Sequence, residues 1–271
     1  VAFLIKSIKA REISLVIAFA ALYIVFSVFK AAIPLRIPVV GAGTSISLTV
    51  VLGPVFGLIL GPFLGALAAF LGAFVSWMTP PGAMHYFGLF TTVCPATAAF
   101  VAGSLSRKNL MLASNTHFLK SIRGWMVAAF TLSILTLLWY ATWVGQAAPM
   151  YPVLQFAGLA VILMFRGRLA DLFKSASKVE ITVAVGLLNY CGLVADHMLG
   201  NLIFIGGIGW VIPLKAVERT LKSLGLPDIA SLFMYMIPIS LAERIAMSLI
   251  STIIAVSLII ALRASKLMQI P

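Results

Sequence analysis

Charge of either sign is scarce in this chain of 271 residues: Asp, Glu, Lys and Arg make up 10% of it, and only seven residues are acidic. A soluble domain needs a far richer polar surface, so an ordinary water-soluble fold is excluded. Histidine and cysteine are scarcer still. With only His85, His117 and His197, a multi-histidine metal centre is not expected. Cys94 and Cys191 lie far apart without a CxxC partner, inside apolar runs, and are expected as buried reduced thiols. No Gly-Lys dipeptide occurs anywhere, so the chain has no GxxxxGK loop to cradle ATP. HExxH and GxSxG are missing too. Neither a cofactor nor an enzymatic activity is expected.

What abounds is apolar side chain: 62% of the residues, in runs of about 20 along the whole length. The pattern predicts an all-α, polytopic transmembrane helical bundle, a single integral membrane domain over 1–271 with about eight spans. They fall near 12–33, 46–60, 62–79, 84–104, 124–144, 149–165, 180–206 and 231–263. The run 13–29 is longer than a signal-peptide core and lacks a convincing cleavage site, so it reads as an uncleaved first span.

The net charge of +12 is explained by where the cations sit. With the N-terminus inside, thirteen of the nineteen fall on one side, including Arg107, Lys108, Arg123, Arg166, Arg168 and Arg263. Five fall on the other, and Arg244 lies within a span. The positive-inside rule then gives a multi-pass protein of the cytoplasmic membrane with both termini cytoplasmic. No solvated basic patch with interleaved aromatics appears, so nucleic acid is not an expected partner.

Gly53, Gly57, Gly61 and Gly65 recur every four residues, with Gly72 beyond, a pattern that lets helix backbones approach closely. One helix over 47–78 would measure about 48 Å against a hydrocarbon core of about 30 Å, so a break is expected at Gly61-Pro62. Ser14, Ala18 and Ala21 make a small-residue face on the first span, suited to this chain's own helices or to another membrane subunit. The connection 34–45 is rich in turn residues and reads as a lid. The stretch 124–165 reads as a helical hairpin with a packing role. The basic segment 166–179, with Leu169, Leu172 and Phe173, reads as a short cytoplasmic amphipathic helix suited to anionic membrane lipid or a partner subunit.

Intramembrane polar groups mark function, because an ionised carboxylate there costs about 2.5–3.5 kcal/mol on insertion scales. Asn189, Asp196, His197 and Asn201 share the seventh span, and the last carries Glu243 and Arg244. Helical rise puts Asp196, Glu243 and Trp77 in the outer half, which predicts a pocket open to the outside. Trp77, Tyr86 and Trp210 could stack on a ring, and the asparagines could bond polar edges. Glu243 and Arg244, about 100° apart on a helix, are expected to serve different partners. Pairing of Asp196 or Glu243 with Arg244, merely to hold two helices together, is the competing reading.

Ser47-Leu48, the run Gly61-Pro62-Phe63-Leu64-Gly65-Ala66-Leu67, the Pro80-Pro81 turn, His85-Tyr86 and the stretch 237–245 together resemble the substrate-binding S component of energy-coupling factor (ECF) vitamin transporters. The resemblance implies a six-helix core, here enlarged by the hairpin 124–165. It implies capture of a vitamin or related micronutrient from outside, with ATP hydrolysis supplied by a T-type transmembrane subunit and two ATPase subunits. The site residues would be Trp77, His85, Tyr86, Asn189, Asp196, His197, Asn201, Glu243 and Arg244, with Ser14, Ala18 and Ala21 docking the partner. Two other readings stand beside it. One is a self-sufficient ion- or proton-coupled carrier using Asp196 or Glu243. The other is an intramembrane enzyme using His197 with Asp196, although neighbours on a helix diverge too far to form a dyad.

Overall fold

Long apolar runs fold as helices because a helix satisfies its backbone N–H and C=O groups within the segment itself. The computed structural model describes residues 10–32, 48–79, 86–110 and 122–265. In chain order the elements are α1 (Ala10–Ala32), a 3-10 turn (Leu48–Val51), α2 (Leu52–Leu60), α3 (Pro62–Met78), α4 (Tyr86–Thr91) and α5 (Val93–Leu105). There follow β1 (Asn109–Leu110), β2 (Ile122–Arg123), α6 (Gly124–Ala141), α7 (Trp143–Ala147), α8 (Val153–Phe165) and α9 (Arg168–Lys174). The chain continues through α10 (Lys178–Gly207), α11 (Leu214–Leu224) and α12 (Ile229–Ala264). Apart from the two-residue antiparallel pairing of β1 with β2, the described residues form the expected all-α bundle.

Among the described residues five helical stretches are long and apolar enough to cross a membrane: α1, α4 with α5, α6, α10 and α12. A sixth appears if α8 and α9, bent by 78°, count as one. The chain is therefore compatible with a multi-pass membrane protein. All eight expected spans are helical over most of their length, but three are short. α8 has 13 residues, about 20 Å. With 9 residues in α2 and 17 in α3, these arms measure about 14 and 26 Å, less than a hydrocarbon core of about 30 Å.

The break between them is where proline predicts it. Gly61 has φ +90°, Pro62 opens α3, and a Cβ on Gly61 would lie 2.6 Å from the Arg107 guanidinium. The glycine ladder does not line one helix; it packs two arms. A Cβ on Gly57 would overlap the Ala99 carbonyl of α5, and one on Gly65 would lie 2.7 Å from the Gly57 backbone. Close approach of α2, α3 and α5 is what these positions provide.

α10 is the central helix, packed against α5, α12, α8, α9 and α6. Its buried Leu188, Cys191, Leu193, Val194, Ala195 and Met198 make much of the core. Both cysteines are free and buried, as expected. On α1, Val16, Ala20 and Tyr23 face the protein, while Ser14, Ala18 and Ala21 are exposed. The small-residue face thus turns away from this chain's own helices.

One end of the bundle is basic. There Lys108 pairs with Asp171 at 2.7 Å, and Arg166 lies over the Trp125 ring. Arg263 donates to the Ser175 and Phe173 carbonyls at 3.1 and 2.7 Å, tying α12 to the end of α9. The expected amphipathic helix exists as α9, but Leu169 and Phe173 are buried against α10 and its neighbours. Its apolar face covers protein rather than lipid.

Candidate functional site

The cluster of interest lies where α10 meets α12, far from the basic end. Asp196 stands 18 residues beyond Lys178 and Arg244 stands 20 before Ala264, about 27 and 30 Å from those ends. Arg244 Nη1 is 3.5 Å from Asp196 Oδ2, and its Nη2 is 3.1 Å from Glu243 Oε2. Asp196 and Arg244 are each 7% exposed. One guanidinium therefore serves two carboxylates, a triad of formal charge −1. Glu243 was expected to seek a different partner from Arg244. The 100° separation is real at the backbone, but long side chains close it.

Beside the triad is a second group. The Tyr151 hydroxyl accepts from Asn201 Nδ2 at 2.9 Å and is 3.2 Å from His197 Nε2. Ser240 of α12 lies close to the same hydroxyl. The Tyr151 ring is stacked on Trp139 (centroids 4.6 Å) and meets Phe233 edge-on at 4.9 Å. α6 and α12 thereby hold in place a hydroxyl that lies just before α8. The stretch 124–165 thus does more than pack: it delivers a polar group to α10. Tyr151 escaped notice because it carries no charge and sits in a connection. His197 turns to Tyr151 rather than to Asp196, as helix geometry requires.

The remaining predicted residues sit elsewhere. Asn189, two turns nearer the basic end, donates to Thr252 Oγ1 at 3.4 Å. Trp77 joins an aromatic run on α3, its ring 5.7 Å from Phe74. Tyr86 and Trp210 are each 74% exposed, and Trp210 lies 5.4 Å from Phe90. His85 and the connection 34–45 lie outside the described residues.

Three buried polar atoms of the cluster have no hydrogen-bond partner among the described residues: Asp196 Oδ1, Arg244 Nε and His197 Nδ1. Nε carries a hydrogen and Oδ1 is an acceptor. If the Tyr151 hydroxyl donates to Nε2, a neutral His197 keeps its ring proton on Nδ1. The open set is then one acceptor and two donors, and leaving such groups unmade costs about 1–3 kcal/mol each. Glu243 is the least covered member, its side chain 18% exposed, and is the edge by which the triad can be reached. Among the described residues no group of three His, Cys, Asp or Glu side chains could hold a metal ion.

Comparison with known proteins gives little more. No family model matches the chain, and no solved structure does. The chain is similar to an uncharacterized protein of Methanocaldococcus jannaschii, at 29% identity over 120 residues, or 44% of this chain. The matched stretch spans 35% of that relative's length.

Proposed function

We propose that the chain is a membrane-embedded substrate-binding subunit of an importer, and that its ligand is a small polar molecule held between α10 and α12. The observation carrying this reading is the open set of Asp196 Oδ1, Arg244 Nε and His197 Nδ1, buried together and unpartnered among the described residues. A ligand bearing both a donor and an acceptor, as ring vitamins do, complements them. The triad is covered, which corresponds to an occluded conformation; exchange of ligand requires movement around Glu243. The resemblance to ECF S components supplies the rest of the reading: capture from outside, with a T-type subunit and two ATPase subunits providing the motor. The exposed Ser14, Ala18 and Ala21 face of α1 is where such a subunit would dock.

The test is native mass spectrometry of the gently purified protein, followed by titration of any retained small molecule. Wild-type protein should retain a ligand that Arg244→Gln and Asp196→Asn release, and should co-purify with ATPase subunits. A ligand-free protein whose isolated form carries out uptake without ATPases would sink the proposal.

The formal −1 charge of the triad favours one second reading, an ion- or proton-coupled carrier using Asp196 or Glu243. Uptake abolished by an uncoupler and indifferent to ATPase loss selects it.

A further inference from the structure

The basic end contains a cleft that the transport reading leaves unused. Its volume is 640 Å³, and it opens where β2 passes into α6 and where α8 bends into α9. Four cations line it, Lys108, Arg123, Arg166 and Arg168, against the single carboxylate of Asp171. Asp171 is already matched by Lys108 at 2.7 Å. Three guanidinium groups are thus left without an acidic partner among the described residues, on two walls of one cleft.

The backbone is bent to put them there. Arg166 has φ +47°, the one non-glycine residue with positive φ among those described, and α8 and α9 diverge by 78° around it. Its Nε donates to the Leu163 carbonyl at 3.2 Å, and its guanidinium lies 5.9 Å from the centre of the Trp125 ring. An arginine in a sparsely populated conformation, braced at its base and against an indole, is held rather than free to sweep through solvent.

The lining is also apolar on one side. Leu163 and Met164 are 51% and 73% exposed at the end of α8, directly beside the cations. Tryptophan and arginine meeting bare leucine and methionine mark a boundary between hydrocarbon and headgroup. A soluble anion would use the guanidinium groups and leave the apolar rim bare. A phospholipid uses both.

We propose that this cleft binds the phosphate of an anionic phospholipid, with Arg123, Arg166 and Arg168 on the headgroup and an acyl chain along Leu163 and Met164. Guanidinium groups bond phosphate oxygens in a fixed fork, and each cation near an anionic membrane surface adds binding energy. The site is independent of the substrate cluster and does not rest on the importer reading.

The experiment titrates the purified full chain in detergent with phosphatidylglycerol, phosphatidylcholine or inorganic phosphate, counting bound molecules by native mass spectrometry. Wild-type protein should hold one phosphatidylglycerol at least about tenfold more tightly than phosphatidylcholine. Arg166→Gln with Arg168→Gln should weaken that lipid roughly thirtyfold, while Lys215→Gln with Lys222→Gln on α11 should not change it. Arg123→Gln, on the other wall, should weaken the lipid roughly fivefold without touching the strained bend, which separates binding from misfolding. Equal retention of the two lipids, or retention undiminished in Arg123→Gln, overturns the proposal. Displacement of phosphatidylglycerol by equimolar phosphate also overturns it, in favour of a soluble-anion site.

Discussion

The Asn201 side-chain amide donates to the Tyr151 hydroxyl at 2.9 Å, joining residues 50 positions apart in sequence. The same hydroxyl lies 3.2 Å from His197 Nε2. Replacing it with hydrogen strands two part-buried groups on α10 while leaving the ring clamped by Trp139 and Phe233. Tyr151→Phe should therefore cost about 1–3 kcal/mol. Thermal unfolding in detergent measures it, and ligand binding should fall with it. Unchanged stability would mean that the hydroxyl is not shared as described.

The triad makes its members unequal. Arg244→Ala leaves Asp196 and Glu243 as two uncompensated carboxylates, at a cost of about 3–5 kcal/mol. Asp196→Ala leaves Arg244 its bond to Glu243, so its loss should be less than half as large. If the cluster binds substrate, Asp196→Ala should still lower ligand affinity by at least about tenfold, roughly 1.4 kcal/mol. Equal destabilisation by the two variants, with binding intact, would mark the triad as a helix clasp and nothing more.

Gly57→Ala should prevent α2 and α5 from docking, because the added carbon overlaps the Ala99 carbonyl and backbone cannot rotate aside. The expected loss exceeds the roughly 1–3 kcal/mol of ordinary overpacking. Gly206→Ala meets nothing within 4 Å on α10. It should be neutral, or stabilising by up to about 1 kcal/mol through helix propensity. Size-exclusion profiles and melting temperatures of the pair give a direct comparison.

Asp228 caps α12, its Oδ1 accepting from the Ser231 N–H at 2.7 Å. This backbone bond, first among the causes, holds its carboxyl below the usual carboxylate range. A depressed acid contributes stability that is present above its unfolded pKa and is lost as pH falls through its lower folded value. The protection of the Ser231 amide, its exchange rate taken relative to the intrinsic rate at each pH, should fall on acidification in wild-type protein. In Asp228→Asn, which keeps the cap but not the charge, that fall should disappear.

Legibility in the sequence varied with the range of the interaction. The break at Gly61-Pro62 could be read because proline acts on its own neighbours. The helices could be read because apolar runs of that length have few alternatives. α11 was missed, although Leu214, Val217 and Leu221 follow a helical spacing and Gly225 closes it in a left-handed cap. Lys215, Glu218, Arg219 and Lys222 keep it out of any apolar run. Asp196 and Arg244 were found because charge within an apolar run is conspicuous. Tyr151 and Gln155 were not, since their partners are the distant His197, Asn201 and the Val194 carbonyl. Contacts spanning 39 to 50 residues leave no periodic trace.

Arg263 grips the end of α9 beside α10, and some 30 Å away Arg244 grips Asp196. Two rivets so far apart, one to α10 and one to α9 packed beside it, resist both sliding and swivelling of the final helix. The pair behaves as a stiff plank. Opening at Glu243 therefore falls to side chains and to neighbouring elements such as α1 and α3, which neither rivet fastens, rather than to separation of this pair.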